Sequence, residues 1–219
     1  MKNAADSILR ADQATYLEGI EPARDPLLAE MEAYAKDNHQ PISDPEVASF
    51  IAVTARLSGA RSIVEVGTNI GYGAIVLARA AGPDARVITI ENSPKTAAVA
   101  RTFIDRAGLS SQVEVREADA LAALQALTGE IDLVYVDCVK QDYPAYLDLV
   151  LPKLSARGVI IADNVLWRGL VARVDSEVPE SETAKVQALR KFNRAIVSDP
   201  RLRGVVLPLG DGVAYATRV

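Results

Sequence analysis

The sequence predicts an open α/β sheet, mostly parallel, with helices on both faces, an antiparallel last strand and a helical N-terminal extension. Three observations carry this. From residue 61 onward short β-branched runs alternate with helical segments, a pattern that implies parallel strands joined by right-handed crossovers. The residues before 61 show helical spacing only. The chain closes on "GVVLPLGDGVAYATRV", two β runs around Asp211-Gly212, the composition of a tight hairpin that returns the last strand antiparallel.

The elements follow in order. "DPLLAEMEAYAKDN" (25–38) carries apolar residues at helical spacing, and "SDPEVASFIAVTARLSG" (43–59) has a cap at Ser43 or Asp44, proline in its first turn and Gly59 where it stops. "RSIVEVG" (61–67) is strand-like and "YGAIVLARAAG" (72–82) helical; "RVITIE" (86–91) leads to a helix from about 94 to 107, closed by Gly108. "VEVREAD" (113–119), a helix over 120–127, "IDLVYVD" (131–137) and a helix over 143–155 follow. "GVIIADN" (158–164) is the fifth strand, and a helix over 182–198 precedes the hairpin.

A length of 219 residues fits one domain with a sizeable core, so 1–219 is read as a single unit and 1–60 as its extension. The net charge of −5 offers no basic field for nucleic acid or an acidic membrane. A single cysteine, Cys138, excludes an internal disulfide framework and a multi-cysteine zinc site. The start "MKNAADSILRADQ" lacks the apolar core of a signal peptide, and no stretch is long and apolar enough to cross a membrane. The expectation is a cytoplasmic protein.

In such a sheet ligands bind beyond the carboxyl ends of the strands, and acidic residues collect there. Glu91 ends the second strand, Asp119 the third, Asp137 the fourth, and Asp163-Asn164 the fifth. These groups repel one another unless a cation or a donor-rich ligand sits among them. The turn "EVGTNIGYG" (65–73) has glycines at 67, 71 and 73, which is neither the dinucleotide fingerprint nor a P-loop. With Glu91 able to accept both hydroxyls of a ribose, it points to a nucleoside held without a phosphate cradle. Glycines for a tight connection and a solvated strand end are the plain alternatives.

Asp137, Asp163 and Asn164 offer three hard oxygens from neighbouring strand ends, a set suited to Mg²⁺ or Ca²⁺. A polar strand-to-helix cap at 163–164 is the bland alternative. Lys140, three residues past Asp137, can reach the same crevice as a general base, although a surface position is the usual account of a lone lysine. His39, the only histidine, reads as a surface residue, and Cys138 as a small, partly buried side chain with no histidine partner.

Together, "VEVGTNIGYGA", "VITIE", "ADAL", "DLVYVDCVKQDYPAY", "GVIIADNVLWRG" and "LPLGDGVAYATR" resemble the cation-dependent class I O-methyltransferases, the group of catechol and caffeoyl-CoA O-methyltransferases and their bacterial relatives. The resemblance runs from about Gln13 to the C-terminus. It implies a Rossmann-like class I methyltransferase fold, with a seven-stranded sheet whose last strand is antiparallel. It also implies methyl transfer from S-adenosyl-L-methionine to a hydroxyl of a small aromatic vicinal diol, in a homodimer whose contact includes the extension. By resemblance Asp137, Asp163 and Asn164 hold the divalent cation, Mg²⁺ before Ca²⁺ or Mn²⁺, and Lys140 is the base. Glu65, Gly67, Thr68, Glu91, Asp119 and Ala120 line the cofactor, joined by Ile42, Gly71, Gly73 and Asp137. Trp167 and Arg168 border the acceptor.

Three departures stand out. The family's glycine turn usually ends Gly-Tyr-Ser, and here Gly73 replaces the serine; the usual D-A-D-K is D-C-V-K; and "EVASF" stands where a glycine-glutamine pair is common. Two other readings remain open. Some relatives methylate a hydroxylated wobble uridine in tRNA, and Gly73 would also suit a homologue that binds a nucleoside without turning it over.

Overall fold

The computed structural model of the protein describes residues 10–21 and 25–219; the chain start read above for a leader, and residues 22–24 of the extension, lie outside the described residues. Seven strands form one sheet in the order β3-β2-β1-β4-β5-β7-β6: β1 (Ser62–Val66), β2 (Arg86–Glu91), β3 (Val113–Glu117), β4 (Ile131–Val136), β5 (Leu154–Ala162), β6 (Leu202–Leu207) and β7 (Val213–Arg218). The first five pair in parallel, while β7 runs antiparallel to both β5 and β6. The helices are α1 (Ala11–Gly19), α2 (Pro26–Asp37), α3 (Pro45–Ser58), α4 (Tyr72–Ala81), α5 (Pro94–Arg106), α6 (Ala120–Ala126), α7 (Tyr143–Val150) and α8 (Thr183–Ser198).

Local chemistry accounts for the helix starts. The Asp25 carboxylate accepts the Leu27 and Leu28 N–H groups ahead of Pro26, Ser93 accepts from Thr96 ahead of Pro94, and Asp119 accepts from Ala122. The central strands are near-continuous apolar runs because both of their faces are covered. Alternation sorts their side chains: Ile63, Leu133, Tyr135 and Ile161 pack with α3 and α4 residues such as Ile51, Ile75 and Leu77. Val64, Val134, Val136 and Ile160 pack on the other face with Leu147, Leu189 and Phe192.

Three expectations need correction. The helix expected over 143–155 ends at Val150, and a 3₁₀ turn over Leu151–Lys153 leads into a strand that begins at Leu154, not at 158. Pro152 sits inside that turn, where its missing N–H ends the α-helical ladder. Strand β3 ends at Glu117, so Asp119 is a helix cap and not a strand end. The cap expected at Ser43 or Asp44 falls at Asp44, the N-cap of α3, although without a side-chain cap bond, and the Ser43 hydroxyl bonds Tyr135.

Candidate active site

Strand register assembles the site. Val66 aligns with Ile90 on one side and Val136 on the other, and Val136 aligns with Ala162. The next residue on each strand therefore forms one row, Glu91–Gly67–Asp137–Asp163, across the point where strand order reverses between β1 and β4. A cleft of about 620 Å³ opens along this row, roofed by residues 40–44 of the extension. That volume is ordinary for a small-molecule site.

Of the residues expected at the cofactor, Ile42, Glu65, Gly67, Thr68, Gly73, Glu91, Asp119, Ala120 and Asp137 wall the cleft. Gly71 does not; it is the N-cap of α4, and its Cβ position would touch Ala100. Lys140, Asp163, Asn164 and Trp167 form the other half, while Arg168 lies outside the wall, its guanidinium 5.6 Å from the centre of the Trp167 ring.

At the glycine turn, Gly67 has φ +103° and an added Cβ would lie 2.2 Å from the Asp137 carbonyl oxygen. Only glycine lets β1 and β4 close on each other there. The Gly67 and Thr68 N–H groups both donate to the Ile90 carbonyl. Glu91 accepts the Asn69 N–H at 3.0 Å on one oxygen and the Ser93 N–H at 2.9 Å on the other. Its carboxylate is thereby fixed, with a lone pair left on each oxygen.

The other half holds two buried charged side chains, Asp163 and Lys140. Asp163 is 2% exposed; one oxygen accepts its neighbour Asn164 N–H at 2.7 Å and the other the Tyr135 hydroxyl at 3.4 Å. Burial first, and then the Asp137 charge, push its carboxyl up to about 7. Lys140 is buried, not on the surface, and donates to Asp137 at 2.9 Å and to the Tyr143 hydroxyl at 2.8 Å. Tyr143 in turn donates toward the carbonyls of Val136 (3.2 Å) and Asp163 (3.0 Å), tying β4, β5 and Lys140 together. The bland cap reading of 163–164 fails, because no helix starts there: Asn164 at φ +56° opens an irregular loop.

Among the described residues no three His, Cys, Asp or Glu side chains gather as a metal cluster. The oxygen set is instead two carboxylates and a carboxamide at adjacent strand ends, the hard-donor chemistry that Mg²⁺ takes. Two acidic groups sharing a site, one of them buried, fit a cation between them. His39 is exposed and Cys138 is pushed up to about 11 by burial, as expected of a residue with no nucleophilic role.

Four residues organise the site in ways their sequence context does not announce. Tyr143 and Tyr135 were within the quoted motifs, but an apolar-looking aromatic carries no visible sign that its hydroxyl will be used. Ser43 reads in sequence as one of two candidate caps. Thr89 donates to the buried Glu65 carboxyl at 2.5 Å and pairs with Thr68 at 2.5 Å; a hydroxyl in the interior of an otherwise apolar strand stretch, Val87–Ile90, is the available signal.

Fold and site together define a Rossmann-like class I methyltransferase. The chain belongs to the O-methyltransferase family, whose model matches residues 22–219. It is 36% identical over 203 residues to a catechol O-methyltransferase from Niastella koreensis, covering 88% of this chain and 89% of that one. A catechol O-methyltransferase from Mycobacterium tuberculosis is 38% identical over 155 residues, 70% of this chain and 67% of that one. Among solved structures, the O-methyltransferase from Bacillus cereus in complex with SAH superposes with a TM-score of 0.84 at 32% identity, covering 95% and 97% of the two chains. An SAH-bound methyltransferase from Podospora anserina gives 0.86 at 30% identity, covering 97% and 99%.

Proposed function

We propose that the protein transfers a methyl group from S-adenosylmethionine to one hydroxyl of a small aromatic vicinal diol, with a divalent cation held by Asp137, Asp163 and Asn164. The observation that carries this reading is the single cleft with two unlike halves. One is a glycine turn with a fixed carboxylate; the other is an oxygen set around the buried Asp163, with the buried Lys140 beside it. The SAH carried by related structures and the catechol acceptor in the relatives' names support the same division.

In the first half Glu91 would accept the ribose hydroxyls through the free lone pairs of a carboxylate already oriented by Asn69 and Ser93. Asp119 and Ala120, at the start of α6, would border the base. In the second half a divalent cation, when bound, makes two vicinal hydroxyls more acidic and fixes their position. With a cation bound beside it, the buried Lys140 Nζ would more readily lose its ammonium proton to solvent, and the neutral amine, still placed by Asp137 and Tyr143, would then receive the acceptor proton. Trp167 closes the wall and helps exclude water. Methyl transfer cancels the sulfonium and phenolate charges, so alignment and desolvation matter more than an oxyanion hole.

The net charge of −5 favours a small acceptor over tRNA. A homodimer built on the extension is part of the proposal, supported by exposed apolar side chains at Tyr16, Ile20, Val53 and Leu57. The test of the acceptor compares catechol with phenol and with its mono-methylated analogue at fixed Mg²⁺. A lone phenol forfeits the second point of attachment, so its specificity constant should fall at least about a hundredfold. Equal constants for phenol and diol would defeat the chelating-acceptor reading.

A further inference from the structure

The loop after β5 carries three non-glycine residues in the left-handed region within five positions: Asn164 at φ +56°, Trp167 at φ +46° and Arg168 at φ +55°. Such backbone persists only where its surroundings overdetermine it. The restraint comes from the β6–β7 turn, which lies outside the cleft wall. The Arg168 N–H donates to both carboxylate oxygens of Asp211, at 2.8 and 2.9 Å. The Leu166 N–H donates to the Asp211 carbonyl at 3.0 Å, and the Val165 N–H to the Gly212 carbonyl at 2.9 Å. Gly212, at φ +85°, leaves room for Leu166, whose Cγ would sit 2.4 Å from any Cβ added there.

Asp211 thus grips the residues on both sides of Trp167, by main chain and side chain. The indole then reaches across to donate to Glu182 at 2.6 Å and walls the acceptor half beside Asn164. We propose that Asp211 is a positioning residue, which touches neither substrate nor cofactor but holds the 164–168 loop so that Trp167 and Asn164 present the acceptor subsite. The subsite rests on the proposed function; the loop restraint does not.

Trp167 is the only tryptophan, so intrinsic fluorescence reports this loop directly, whether or not catechol is turned over. In Asp211→Ala, Trp167 emission should move to longer wavelength and acrylamide quenching should rise about twofold. The KM for catechol should rise roughly tenfold, the equivalent of one lost charge-assisted hydrogen bond, with S-adenosylhomocysteine affinity within about twofold of wild type by calorimetry. Asp211→Asn keeps one acceptor oxygen for the Arg168 N–H and should recover most of both effects. If the alanine variant does not fold, Asp211→Ser, which offers one short hydroxyl, is expected to show the same changes. Folded Ala or Ser variants with wild-type fluorescence would overturn the proposal, as would a loss of S-adenosylhomocysteine affinity as large as the rise in KM. A change in fluorescence with no turnover in the wild type would leave the restraint standing and count against the acceptor reading instead.

Discussion

Glu65 lies beneath the glycine turn, 1% exposed, on a strand face that otherwise packs apolar side chains. Burial pushes its carboxyl up to about 8, against the lowering effect of the Thr89 hydrogen bond. The folded protein keeps that proton across a window, from the ordinary 4.5 to about 8, in which an unfolded glutamate has lost it. Stability from this group is therefore full below about 4.5 and is lost as pH rises through about 8. Relative to Glu65→Gln, wild-type protein without metal should lose a few kcal/mol between those limits, measured by urea unfolding at a series of pH values. Parallel pH profiles for the two proteins would mean that Glu65 is already ionised in the fold. Gly73 is coupled to the same side chain, since a Cβ added there would lie 2.1 Å from the nearer Glu65 oxygen. The serine usual in the family would force Glu65 to move. Gly73→Ser should cost about 1–3 kcal/mol in the wild-type background and close to nothing in a Glu65→Ala background. Equal costs in both would uncouple the pair.

The strands supply placement, and their ends supply chemistry. Gly67 is the joint where β1 turns into α4 against the Asp137 main chain. Gly67→Ala adds a methyl into backbone at an unfavourable φ and should destabilise by about 2 kcal/mol or more in chemical denaturation. A loss below about 0.5 kcal/mol would mean that the turn can open without disturbing β4. Most of the elements were legible from apolar periodicity and from glycine stops such as Gly59 and Gly108, while the caps at Asp25 and Ser93 came only with the structure. The start of β5 was not legible, since "KLSAR" has no apolar run and its pairing with β4 passes a register shift. The row Glu91–Gly67–Asp137–Asp163 was readable, because each residue follows a β-branched run and register does the rest. Burial of Lys140 was not: Tyr143 lies three residues on but shows no sign that its hydroxyl will meet the ammonium, and Trp167 meets it only in three dimensions. Asp211 was visible as a turn residue, while its grip on Arg168, 43 positions away, leaves no local trace.

Across the whole molecule, the sheet brings the glycine turn with Glu91 and the oxygen donors Asp137, Asp163 and Asn164 to its switch point, and residues 40–44 of the extension line the same cleft. The proposed function turns on a divalent cation held by Asp137, Asp163 and Asn164, on which acceptor activation would depend. Burial and the Asp137 charge raise the Asp163 carboxyl above the usual carboxylate range, so cation affinity should strengthen as pH rises and that proton is released. The most direct measurement is methyl transfer from S-adenosylmethionine to catechol after exhaustive chelation, followed by addition of Mg²⁺, for wild type and Asp163→Ala. Turnover should vanish on chelation and return with Mg²⁺ in the wild type, and should not return in the variant. Full turnover by the chelated wild-type enzyme would contradict the account.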